Sequence, residues 1–196
     1  MKLVIPFVFL LAFSASMRVL TSQGGLSDTG SQCTGDCATP VATCRILQNE
    51  NGVDGLIRIE PASDGSGNSD VYVELSGLTP GEHGFHVHES PITGSDCESA
   101  GGHFNPTYED HGDIDAPEHH VGDLGNIEID ENGNVSTVLS SDTLTLSGPT
   151  NVVGRSIVVH GGQDDLGEGG DEQSLANGNS GPRVGCCTIT LQGSNI

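Results

Sequence analysis

The chain reads as an all-β protein, an eight-stranded Greek-key β-sandwich or flattened barrel carrying two long functional loops, and three observations lead there. Eight short runs of strand character follow one another between turn signals, and no stretch shows a convincing helical period. Aromatic residues make up only 4% of the composition and tryptophan is absent, so small and β-branched side chains must fill the interior. That suits a thin sandwich better than a large α/β enzyme.

Taken from the N-terminus, residues 1–24 have the form of a secretory signal peptide: Lys2, an apolar run from Leu3 to about Ala15, then small residues around Ser14, Ala15 and Ser16. The run is too short for a comfortable membrane span and no later stretch supplies one, so the expected product is secreted and extracellular, with no membrane partner after signal removal. Residues 25–40 are rich in Gly, Ser and Thr and read as a flexible arm. The folded domain is expected over 41–196. Its first runs, "VATCRILQ" and "DGLIRIEP", flank the Asn51-Gly52 turn, and Asp64 to Asn68 separates the second from "DVYVELSG". Then come "GFHVHE", "GDLGNIEID", the Asn132-Gly133 turn, "NVSTVLS", "RSIVVHGG" and "RVGCCTITLQ". Two intervals interrupt this rhythm, Ser90 to about Val121 and Gly161 to about Pro182, and connections of that length are usually functional or disordered.

Charge narrows the function. Six Lys and Arg against 27 Asp and Glu give a formal net charge of -21, and removal of the signal would leave only Arg45, Arg58, Arg155 and Arg183 as basic residues. Nucleic acid and anionic membranes demand a basic face and are excluded as partners. Cys33, Cys37, Cys44, Cys97, Cys186 and Cys187 are an even set in a chain with an export signal, which favours disulfides over thiols. Spacing alone does not fix their pairing.

In "GEHGFHVHES" an extended backbone puts His86 and His88 on one face and Phe85 and Val87 on the other, a geometry suited to gripping one metal ion. His83 shares the parity of Phe85 and Val87 and should be an inward, hydrogen-bonded, structural histidine. The following loop carries His103, His111, His119, His120 and Asp123, and His160 ends "SIVVH". Imidazoles suit copper and zinc, and one carboxylate among them keeps a tetrahedral zinc site compact. All eight histidines fall in these three places, a clustering that a surface distribution would not produce.

With "GFHVHE", "AGGHFNP", "HVGDLGN", "GRSIVVH", "DDLGEGG" and "GNSGPRVGCC" in this order, the sequence resembles the copper,zinc superoxide dismutases from about Val41 to Leu191. The resemblance implies disproportionation of superoxide to dioxygen and hydrogen peroxide, with copper and zinc ions as cofactors. It implies copper on His86, His88, His103 and His160, and zinc on His103, His111, His120 and Asp123, the His103 imidazolate bridging the two and later supplying a proton. Asp164 matches the aspartate that hydrogen-bonds ligands of both metals, here His86 and His111. Arg183 matches the guanidinium that holds superoxide beside copper, and Cys97 with Cys186 matches the family's disulfide. His119 has no counterpart among the ligands and reads as a surface neighbour. The family is often dimeric, so the resemblance allows a homodimer.

Departures from the pattern matter as well. Ala176 stands where the family commonly has a lysine that attracts superoxide, with Glu168, Asp171 and Glu172 nearby, so steering should depend on the metals and Arg183, and activity should lose less on adding salt. Cys187 follows Cys186 and should face the opposite way, toward Cys44 on the neighbouring first strand; an extra Cys44–Cys187 bridge is expected, the competing reading being a buried free thiol at Cys44. Cys33 and Cys37 would then pair together or between chains. Asn134-Val135-Ser136 is a glycosylation sequon. The rival to an enzyme is a non-catalytic extracellular copper/zinc-binding module, disfavoured by Arg183, which binds no metal.

Overall fold

A computed structural model of the chain describes residues 39–47 and 49–193. The expected signal peptide, nearly all of the arm, Cys33 and Cys37 lie outside the described residues. Among the described residues, nine strands form two antiparallel sheets: β1 (Ala42–Ile46), β2 (Asp54–Pro61), β3 (Ser69–Ser76), β4 (Gly81–His88), β5 (Asp123–Ile129), β6 (Asn134–Ser141), β7 (Ser156–His160), β8 (Arg183–Thr188) and β9 (Thr190–Leu191). One sheet has the order β6-β3-β2-β1-β9 and the other β5-β4-β7-β8, so the architecture is a sandwich of two open sheets and not a closed barrel.

Eight strand-like runs become nine strands because the last run serves both sheets. β8 pairs with β7, the fully buried Ile189 interrupts it, and β9 pairs with β1 across the sandwich. Ile189 stays hydrogen-bonded at this crossing, donating to the Arg155 carbonyl and accepting from the Gly154 amide. A continuous pattern of β-formers hides such a step, since each half keeps its own alternation.

Period-2 patterning builds the core. Cys44 and Ile46, Ile57 and Ile59, and Val71 and Val73 turn inward from the first sheet, facing Phe85, Val87, Ile127, Ile129, Ile157 and Val159 from the second. Burying one such side chain contributes about 1.5–3 kcal/mol. Cys44 and Cys187 are bonded, joining the two sheets through this core, while Cys97 and Cys186 are bonded and hold the first long loop to β8.

Both long intervals contain short helices. A 3₁₀ turn spans Cys97–Ala100, with the Asp96 side chain accepting from the Glu98 amide. Helix α1 spans Glu172–Asn177; Asp171 caps its start by accepting from the amides of Gln173 and Ser174, and Gly178 ends it in the left-handed conformation at φ 66°. A side chain at Gly178 would also meet Asp164 Oδ1 at 1.8 Å, so glycine is needed there for conformation and for space. Among the described residues, no helix is long and apolar enough to cross a membrane.

Candidate metal centre

The second sheet carries the centre on its outer face. β4 brings His86 and His88 to that face, while Phe85 and Val87 fill the core as their parity requires. Antiparallel pairing sets His86 opposite Val158, and a register shift after Val159 places His160 opposite Arg183 at the start of β8. Asp123 opens β5 opposite His86, and an isolated bridge joins His88 to His103 in the loop. All of these histidines are buried because the loops cover the sheet. His83 is buried on the inner side, one ring nitrogen 2.6 Å from the His160 carbonyl and the other 2.8 Å from that of Thr79.

Two four-residue groups result among the described residues, each with its ligand atoms within 4.8 Å of one another: His86, His88, His103 and His160, and then His103, His111, His120 and Asp123. His103 belongs to both. Its ring centroid lies 4.1 Å from that of His86, while its Nδ1 lies 2.8 Å from Asp123 Oδ1. Asp123 also stands 3.1 Å from His120 Nδ1 and 3.0 Å from His111 Nδ1. His119 is half-buried, its Nδ1 bonded to the Ala116 carbonyl, and it enters neither group.

Partners outside the two groups fix the ring tautomers. Asp164 accepts from His86 Nε2 at 2.6 Å and from His111 Nε2 at 2.8 Å, spanning both groups. The carboxylate is itself held by the Leu166 amide, and its backbone exchanges two hydrogen bonds with Asn126. His88 and His160 donate through Nδ1 to the carbonyls of Gly101 and Gly181, leaving their Nε2 lone pairs 3.4 Å apart. An imidazole anchored through one nitrogen offers the other as a ligand in a fixed direction.

Burial dominates the electrostatics. It pushes His86 down to about 3 and His160 to about 4, and it lowers His88 and His103 as well, with neighbouring imidazoles adding to the effect, so these four rings are neutral donors. For His111 burial works against the charge, yet hydrogen bonds to Asp123 and Asp164 prevail and raise it to about 9. Burial alone would raise Asp123 and Asp164, but their hydrogen bonds to histidines hold both well below the usual carboxylate range.

The residues fit a pair of metal ions. His86 Nδ1 and His103 Nε2 are buried without a hydrogen-bond partner, an arrangement costing about 1–3 kcal/mol per atom unless a cation accepts the lone pair. Four imidazoles suit copper, and three imidazoles with one carboxylate suit tetrahedral zinc. Zinc would displace the proton that the two carboxylates hold on His111.

A cavity of about 580 Å³ leads to the first group and is lined by His88, His103, His160, Glu98, Asn177 and Arg183, among others. Arg183 donates to the carbonyls of Cys97 at 2.8 Å and Gly101 at 2.7 Å, the two ends of the 3₁₀ segment that the Cys97–Cys186 bridge anchors. Its Nε lies 3.6 Å from Glu98 Oε2. Glu98 and Asn177 escaped the sequence reading. Adjacency to Cys97 was a usable signal for the first, and the Asp171-to-Gly178 capping pattern for the second.

The sequence matches the family model for copper/zinc superoxide dismutase (SODC) over residues 53–189. It is 45% identical over 152 residues to copper-zinc superoxide dismutases of Saccharomyces cerevisiae and of Candida glabrata, covering 77% of this chain and 98% of each relative. Among solved structures it is similar to the crystal structure of the clock protein EA4, with a TM-score of 0.72 and 40% identity over 78% of this chain and 96% of that one. Two buried groups that share one histidine, in an antiparallel sandwich with these relatives, make the chain a member of the copper/zinc superoxide dismutase family.

Proposed function

We propose a residue-level account of the superoxide disproportionation that the chain performs as a member of this family. His86, His88, His103 and His160 hold copper, and His103, His111, His120 and Asp123 hold zinc. Copper bound there supplies a one-electron couple, and zinc, fixed in oxidation state, shapes the site. The observation that carries this assignment is the sharing of His103 between both groups, with Nε2 buried and unpartnered and Nδ1 turned to Asp123.

Arg183, the cation lining the cavity, binds and orients the superoxide anion; its planar fork suits a small oxyanion, and the Cys97 and Gly101 carbonyls fix its aim. His103 Nε2 receives a proton and passes it to the reduced oxygen product, so that two superoxide anions and two protons give one dioxygen and one hydrogen peroxide. Asp164 keeps His86 and His111 in the required tautomers. Export rests on the form of residues 1–24 and on an even cysteine set, two pairs of which are bonded. Asn134, exposed at the start of the edge strand β6, is then open to glycosylation.

The test is dismutation by the purified, copper- and zinc-loaded protein beside Arg183→Ala at equal metal content. Fast dismutation that falls in the variant supports the account, and full metal loading with negligible activity would replace it with the metal-binding module.

A further inference from the structure

We propose that Glu98 is a specificity-determining carboxylate at the mouth of the copper cavity, acting on the substrate through Arg183. The inference rests on the copper assignment above. Three features converge on Glu98. It lines the same cavity as His88, His103, His160 and Arg183. Its Oε2 stands 3.6 Å from Arg183 Nε, with the arginine side chain 17% exposed and that of Glu98 75% exposed. It also sits in the 3₁₀ segment whose two ends accept from Arg183, a segment fixed by the Asp96 cap and by the Cys97–Cys186 bond. The backbone of Glu98 is therefore anchored beside the guanidinium.

The consequence is electrostatic. Arg183 gives one N–H from each terminal nitrogen to a backbone carbonyl and turns its Nε toward a carboxylate, so an entering anion meets the remaining N–H groups of a guanidinium whose charge is partly offset. Among the described residues lining the cavity, Arg183 is the one cation and Glu98 the one carboxylate, and they cancel at long range. With Ala176 also on the cavity wall, no other lining side chain adds to the attraction that bound metal ions exert on an anion. Neutral Glu98 would uncover Arg183, tightening small-anion binding and restoring long-range attraction. The arrangement discriminates against inert anions that compete for the copper position, at the expense of capture rate.

The experiment compares wild type, Glu98→Gln and Glu98→Asp, all loaded with copper and zinc to equal measured content. Azide affinity is read from the visible spectrum of the copper centre, and kcat/KM is followed from low to physiological ionic strength. Glu98→Gln should bind azide at least about threefold more tightly and lose activity with salt more steeply than wild type. Glu98→Asp, keeping the charge, should stay within about twofold of wild type. In an Arg183→Ala background the Glu98→Gln gain in azide affinity should shrink toward none. Unchanged azide affinity and salt response in Glu98→Gln, an Asp variant that behaves like Gln, or a full gain without Arg183 would each overturn the proposal. Failure of the wild type to take up copper at all would instead fall on the metal assignment.

Discussion

The two sheets share one core but differ on their outer faces. In the β6-β3-β2-β1-β9 sheet, burial alternates along β3 and one face meets solvent, as expected of an antiparallel sheet. In the β5-β4-β7-β8 sheet, all five residues of β7 and the last six of β4 are buried. What covers the second sheet is not a helical layer but its own long loops, and the faces in contact are lined with imidazoles and carboxylates. Polar groups in such a place need partners; Asp123 and Asp164 supply some, and two metal ions would supply the rest. The catalytic half of the molecule is thus the half where burial and polarity conflict.

That contrast is open to direct attack. The largest effect is expected from His103→Ala, which removes the group common to both clusters: dismutation should fall by about 10⁴-fold, measured at saturating copper and zinc. On the inner faces the two sheets should behave alike, so Phe85→Ala should cost about 3–5 kcal/mol and Ile59→Ala about 2–5 kcal/mol in denaturant unfolding; a much cheaper Phe85→Ala would mean the loop-covered sheet is loosely packed. Asp164→Asn should weaken metal affinity about 10- to 100-fold while leaving the fold intact, read by competition with a chelator.

A pH series on metal-free protein sharpens the contrast further. His111, raised to about 9, adds stability that is complete below its unfolded value near 6.5 and lost as pH rises through 9. His86 and His160, lowered to about 3 and 4, stay neutral when folded, so stability falls as pH drops below about 6.5 toward those values. Depressed Asp123 and Asp164 add a further loss below about 3.8. Unfolding should be hardest near about pH 7 and easier both toward 9 and toward 4, and a maximum at pH 4 would contradict the assignment. The smallest effect belongs to the wet face, where Val138→Thr should stay within about 0.5 kcal/mol of wild type.

Much of this was legible in the sequence because a strand forces side chains to alternate. The parity of His86 and His88 against Phe85 and Val87 foretold which face would carry imidazoles; the resemblance implied the Cys97–Cys186 bond, and the opposite parity of Cys187 then pointed to its bond with Cys44. What stayed hidden lacks a period. Helix α1, six residues long, is under two turns and shows only as its caps, Asp171 and Gly178. The division between β8 and β9 at Ile189 leaves no break in the run of β-formers. Glu98 facing Arg183 joins residues 85 positions apart, and only the Cys97–Cys186 bond, next to the glutamate, hints at it.

Adjacent cysteines on β8 also decide what a protease can achieve. The Cys44–Cys187 bond encloses nearly every described residue of the sandwich, and Cys97–Cys186 encloses most of both long loops. A single cut anywhere between Cys44 and Cys187 leaves the two pieces covalently joined, and one between Cys97 and Cys186 leaves them joined twice. A nicked molecule would therefore keep its mass on a non-reducing gel and fall apart only with reductant, so damage to the exposed loops need not release the metal-bearing half.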